Sequence, residues 1–192
     1  AITNMNQPLG NNCGLGNEIQ ECIDIMKGDV DNDTKKLTLF LAQKCLKETG
    51  INSNLSDFEK LIKSGHVYEK FEEMVFYHDG SFERFQKQIT PKFKKDVFSS
   101  EEGYVSSFNT YKIGLALNHL GCGRTNISSK LDHSAGVTIH YKLGSSYSKR
   151  NPIFTIYSNN KDKLKLSKKI ILESIKFSKQ KPVVDPLIYK VI

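Results

Sequence analysis

Apolar residues recur at helical spacing through most of the first half of the chain. Ile19, Cys22, Ile23 and Met26 fall on one face of a helix that starts near residue 17 and stops at Gly28. Asp33 is placed to cap a second helix over 34–49, with Leu37, Leu41 and Cys45 on one face and Gly50 as its stop. Ser56 and Glu59 have capping-box spacing ahead of Phe58, Leu61 and Ile62, and Gly65 ends that run. Val67, Phe71, Met74 and Val75 form the next stripe, which closes near Gly80.

Beyond Pro91 the period changes. Residues 92–99 and 104–109 read as short strands, and 110–120 returns to a helix with Ile113, Leu117 and Leu120 aligned. Val137, Ile139 and Tyr141 alternate with Thr138 and His140, which predicts a half-buried strand before a turn at Gly144. A strand over 153–157, a basic amphipathic helix over 162–177 and an extended segment over 187–192 complete the pattern. Helices followed by strand-rich sequence predict an α/β or α+β fold with a boundary near Pro91.

The stretch Met5–Asp24 is the densest in turn chemistry. Pro8 fixes the chain direction, and Gly10, Gly14 and Gly16 permit positive φ and close backbone approach. The stretch reads as a strand end, a tight turn and the start of a helix that carries Glu18 and Glu21 on neighbouring positions. Backbone carbonyls and a carboxylate can converge there on a cation, or the glycines can simply turn a corner. The glycine spacing is not the dinucleotide fingerprint, and no Gly-Lys-Ser/Thr follows.

Composition changes this picture little. The 192 residues carry 28 Lys+Arg against 21 Asp+Glu, a net charge of +7, but the basic residues are not interleaved with aromatics as in a nucleic-acid module. No run of 18 apolar residues exists, so neither nucleic acid nor a membrane is expected as a partner. Cys13, Cys22, Cys45 and Cys122 show no CxxC spacing and read as buried free thiols of a reducing, cytoplasmic compartment. Asp132-His133 is adjacent in sequence and reads as structural rather than as an acid–base pair; Arg124 can hold an anion at its turn or pin the small domain by hydrogen bonds, and the second reading is favoured. No Ser/His/Asp or Cys/His nucleophile set can be assembled.

Motifs in order along the whole chain then carry a resemblance. MNQPLG with EIQECIDIMKG, Lys36-Leu37-Thr38-Leu39, Ser64-Gly65 followed by Phe71 and Met74, and GYV at 103–105 are four of them. IGLALNHLGCGR at 113–124, LDHSAGVTIHYKLG at 131–144 and the closing DPLIYKVI are the others. Together they are similar to the thymidine and pyrimidine-nucleoside phosphorylases, over the C-terminal part of those enzymes. The resemblance implies the C-terminal part of a mixed-sheet α/β domain over 1–88 and a small strand-rich, hammerhead-like domain over 89–192. It also implies reversible phosphorolysis of a pyrimidine nucleoside to free base and a pentose 1-phosphate, in a homodimer, with the nucleoside and phosphate held by residues upstream of this segment. The chain alone is then expected to be inactive, and a non-catalytic remnant or interaction module that pairs with a separate N-terminal chain is the other reading. Mapped by residue, a potassium ion (K+) would be held by the carbonyls of Leu9 and Asn12 and the carboxylate of Glu21, with no catalytic or substrate-binding residue in the segment. Cys13-Gly14-Leu15-Gly16-Asn17 departs from the family's usual V-G-[NH]-A-L at that turn.

Overall fold

A computed structural model describes residues 1–124 and 126–192. Residues 1–89 contribute two short strands, β1 (Ile2–Thr3) and β2 (Asn12–Gly14), and five helices. These are α1 (Gly16–Lys27), α2 (Asp33–Glu48), α3 (Leu55–Lys63), α4 (His66–Tyr77) and α5 (Phe82–Ile89). There follow β3 (Phe93–Val97), β4 (Gly103–Phe108), α6 (Thr110–Leu120), β5 (Gly136–Ile139), β6 (Ser146–Tyr147), β7 (Phe154–Ser158), α7 (Lys161–Leu172), β8 (Ile175–Ser178) and β9 (Ile188–Lys190). The fold is α+β, and every strand pair among the described residues is antiparallel.

The core sits in the strand-rich part, between a four-stranded sheet of order β2-β5-β7-β3, a three-stranded sheet of order β6-β4-β8, and helices α6 and α7. Alternation on the central strands explains which face is buried. Val137 and Ile139 of β5 and Phe154 and Ile156 of β7 point into the core. Thr138 of β5 lies on the opposite, polar face, where its hydroxyl bonds the Asn12 side chain at 2.6 Å. Thr155 of β7, on that same face, donates to Asp96 of β3 at 2.7 Å. α6 and α7 close the inner face with Ile113, Ala116, Leu120, Leu164 and Ile171.

β2 lies far from its sheet partners in sequence, yet Cys13 pairs with Val137 and joins the main core. The glycine-rich stretch is therefore an edge strand as well as a turn.

Several sequence expectations are corrected. On α1 the buried positions are Gly16, Glu21, Ile23 and Ile25, whereas Ile19 and Cys22 are exposed, because β2 and α3–α5 cover a different side of the helix. Leu41 and Cys45 of α2 also face outward, so two of the four cysteines are exposed free thiols rather than buried ones. α2 is capped by Asn32, with Asp33 as its first residue. The capping box of α3 is Asn54 with Asp57, two residues before the expected Ser56–Glu59 pair. The last helix ends at Leu172, and Ile175–Ser178 is a strand paired with β4. Ile171 and Ile175 fit helical spacing, but Ile175 and Phe177 also alternate with Lys176 and Ser178, and pairing with Phe108 and Val105 decides for the strand.

Candidate functional site

The loop from Gln7 to Asn11, between β1 and β2, brings together Glu21 of α1, Asp33 of α2 and Lys142. Gly10 adopts φ +69°, which turns the backbone so that consecutive N–H groups face α1 and α2. The Gly10 N–H donates to Asp33 Oδ1 at 2.8 Å and the Asn11 N–H to Glu21 Oε1 at 2.8 Å. Asn32, the cap of α2, donates its side-chain N–H to the same Glu21 oxygen at 3.0 Å. A Cβ at residue 10 would lie 2.2 Å from Glu21 Oε2, so only glycine lets the loop approach the carboxylate this closely.

Glu21 is 5% exposed, an unusual position for a carboxylate. Burial pushes its pKa up; the N–H groups of Asn11 and Asn12 and the Lys142 ammonium act against that rise, and the Asp33 charge adds to it. On the far side of the loop, Lys142 Nζ donates to the carbonyls of Pro8 and Gly10, each at 2.6 Å, and pairs with Asp33 Oδ2 at 3.0 Å. The loop is thus clamped through donors on one side and acceptors on the other.

The three residues that the sequence assigns to a cation meet here in part. Leu9 and Glu21 flank the same loop, and the Leu9 carbonyl accepts no hydrogen bond among the described residues. Asn12 lies in β2 opposite Thr138. All three offer oxygen donors, and two carboxylates, Glu21 and Asp33, face one ammonium, so the donor set and charge fit a monovalent cation. Among the described residues no group of three or more His, Cys, Asp or Glu gathers into a metal-ligand set.

Asp33 and Lys142 were missed by the sequence reading. Asp33 reads as a helix cap, and Lys142 lies 134 residues from Pro8 with no local pattern to connect them. Only the register of β5 beside β2 brings them together.

A groove of about 480 Å³ runs beside the turn, lined by Gly14, Leu15, Glu18, Tyr111, Leu115 and Cys122 among others. It holds no activated nucleophile. Burial raises the Cys122 thiol to about 12, and burial likewise raises Cys13 to about 12, so both stay protonated and inert near neutral pH.

Asp132 is a structural hub. It accepts from the N–H and hydroxyl of Ser134, the hydroxyl of Ser158, and the N–H and side chain of Asn159. Partial burial alone would raise its pKa, but the Asn159 N–H and the Ser134 donors outweigh that and hold it below the ordinary 3.8. A depressed folded pKa stabilises fully above the unfolded value and is lost as pH falls through the folded value. The urea midpoints of wild type and Asp132→Asn should therefore differ at neutral pH and converge in acid below 3.8. His133 is exposed and shares none of these bonds, so the adjacent pair does not act together. Arg124 is exposed and makes no hydrogen bond or ion pair among the described residues, contrary to the pinning role expected for it.

Residues 104–178 match the model of the pyrimidine nucleoside phosphorylase C-terminal domain. Across the full chain, the similarity to a thymidine phosphorylase of Metamycoplasma hominis is 28% identity over 201 residues, or 100% of this chain and 72% of that protein. A pyrimidine-nucleoside phosphorylase of Bacillus subtilis is 29% identical over 84% of this chain and 39% of its own length. One from Staphylococcus aureus is 32% identical, again over 84% of this chain and 39% of its own length. The chain thus spans about two fifths of the length of the last two relatives.

Proposed function

We propose that this chain, a relative of the thymidine and pyrimidine-nucleoside phosphorylases that matches their C-terminal portion, serves as that portion of a pentosyltransferase. The observation that carries the reading is the similarity along the whole chain, which includes the domain match at 104–178. The reaction is phosphorolysis: inorganic phosphate displaces a pyrimidine base from a nucleoside, through a transition state with oxocarbenium character, to give a pentose 1-phosphate. Catalysis rests on positioning and electrostatic stabilisation. Nucleoside and phosphate are held by the part of the enzyme outside this segment, and the working form is a cytoplasmic homodimer. Residues 1–88 complete the larger α/β domain, with β1 and β2 reaching across to pair with β9 and β5, and 89–192 form the domain that closes over the cleft. No helix among the described residues is long and apolar enough to cross a membrane.

The DNA upstream tests the reading. A frame that continues through a phosphate-binding loop, in a protein that releases pentose 1-phosphate from thymidine or uridine, supports it. A start codon and ribosome site at residue 1, with no companion gene, favours the non-catalytic alternative. The chain alone should show no turnover, and measurable phosphorolysis by it would overturn the placement of the substrate site.

A potassium ion held by the carbonyls of Leu9 and Asn12 and the carboxylate of Glu21 belongs to the same proposal. What supports it is the unbonded Leu9 carbonyl beside a buried carboxylate and the excess of one negative charge at the loop. When bound, the ion would neutralise that charge. Replacing choline by potassium should then raise the melting temperature of the wild type and leave Glu21→Gln unmoved. Equal shifts in the two proteins would remove Glu21 from the site.

A further inference from the structure

The Pro8–Asn12 loop is built around a positive charge that the chain itself supplies. We infer that the ammonium of Lys142 is the resident cation of this loop, and that it sets the loop's conformation whether or not a free ion binds. Three oxygens surround it: the Pro8 and Gly10 carbonyls at 2.6 Å and Asp33 Oδ2 at 3.0 Å. The two carbonyls accept hydrogen bonds from the ammonium, and the Asp33 carboxylate balances its charge as an ion pair. The Lys142 side chain is 23% exposed, and that of Asp33 17%, so water competes only weakly for the pair.

The consequence lies in the order of the carbonyls. Lys142 takes those of residues 8 and 10 and leaves that of residue 9 without a hydrogen bond. Asp33 bridges the two sides of the loop, because its Oδ1 accepts the Gly10 N–H while its Oδ2 meets the ammonium. Lys142 thereby fixes both flanks of Leu9 and acts as a positioning residue. The Gln7 side chain adds a local tie by accepting the Leu143 N–H at 2.9 Å.

This inference rests on hydrogen-bond geometry and not on potassium, so the two can fail separately. Amide hydrogen exchange in potassium-free choline buffer tests it. In the wild type the Gly10 and Asn11 amides should be protected. In Lys142→Ala they should exchange about tenfold faster or more, as expected for losing charged hydrogen bonds, while Val137 and Ile156 keep their rates. n-Propylammonium, which replaces the deleted segment with its charge, should restore protection, and n-propanol should not. Lys142→Met keeps the apolar stem and should remain fast, which settles the matter should the alanine variant fail to fold. Protection in Lys142→Met equal to wild type would overturn the inference, as would acceleration that propanol reverses as well as propylammonium. A potassium effect on the wild type, present or absent, bears only on the ion proposed at Leu9, Asn12 and Glu21.

Discussion

Gly14→Ala is expected to destabilise the protein by about 3 kcal/mol or more, through overpacking and backbone strain together. Gly14 has φ +143°, a conformation that L side chains rarely adopt. An added Cβ would lie 2.6 Å from the Ala135 carbonyl oxygen and 2.8 Å from the Gly136 Cα, main-chain atoms at the start of the adjoining strand β5 and of the residue before it. It would also lie 2.5 Å from Asn17 Oδ1. A flexible side chain can swing away from such an intruder; a paired strand cannot. Relief requires β2 to leave β5, which removes Cys13 from the core and breaks the pairing that brings Lys142 to the loop. Urea denaturation of Gly14→Ala against wild type measures the loss. A midpoint within experimental error of wild type would show that the edge strand is not held as described.

Phe154→Ala should cost roughly 3–5 kcal/mol, the range for deleting a fully buried aromatic side chain. Phe154 is wholly buried in β7, the strand that joins β5 to β3. It meets Phe108 of β4 edge to face, with ring centroids 6.5 Å apart, and so links the four-stranded sheet to the three-stranded one. The cavity left behind is bordered by rigid strands on both sides, which limits collapse and favours the upper part of the range. Against a typical total of about 5–15 kcal/mol, either substitution removes a large share of the margin. The melting temperature should fall by many degrees, and a loss under about 1 kcal/mol would mean that the two sheets do not share a core.

The strand-rich half was legible because its signals are local and agree with burial. The helix over 110–120 is found at those bounds, and strands over 93–97 and 103–108 overlap the stretches read as 92–99 and 104–109. Val137 and Ile139 are buried as their alternation requires. The first half was legible as helices but not as faces. Leu41, Cys45, Ile19 and Met74 sit at helical spacing yet are substantially exposed, since periodicity reports an apolar side without saying what covers it. Caps were displaced by one or two residues, because Asn32 and Asn54 compete with nearby Asp and Ser for the same orphan N–H groups. Of the loop, the sequence showed the glycines and the carboxylate of Glu21. Its partners across the fold depend on strand register, which no local pattern encodes. Asn17 is a related case: its side chain donates to the carbonyls of Cys13 and Val137, which ties α1 to both strands.

The smallest sheet has a mechanical meaning. Ile2 lies opposite Lys190 and Thr3 opposite Ile188, so the first and last residues leave this antiparallel pair from the same side. Tension applied between residues 1 and 192 would open it as a zipper, one bond at a time, with the Asn4 N–H to Leu187 carbonyl link among the last to part. The buried sheets would feel no load until that clasp had given way.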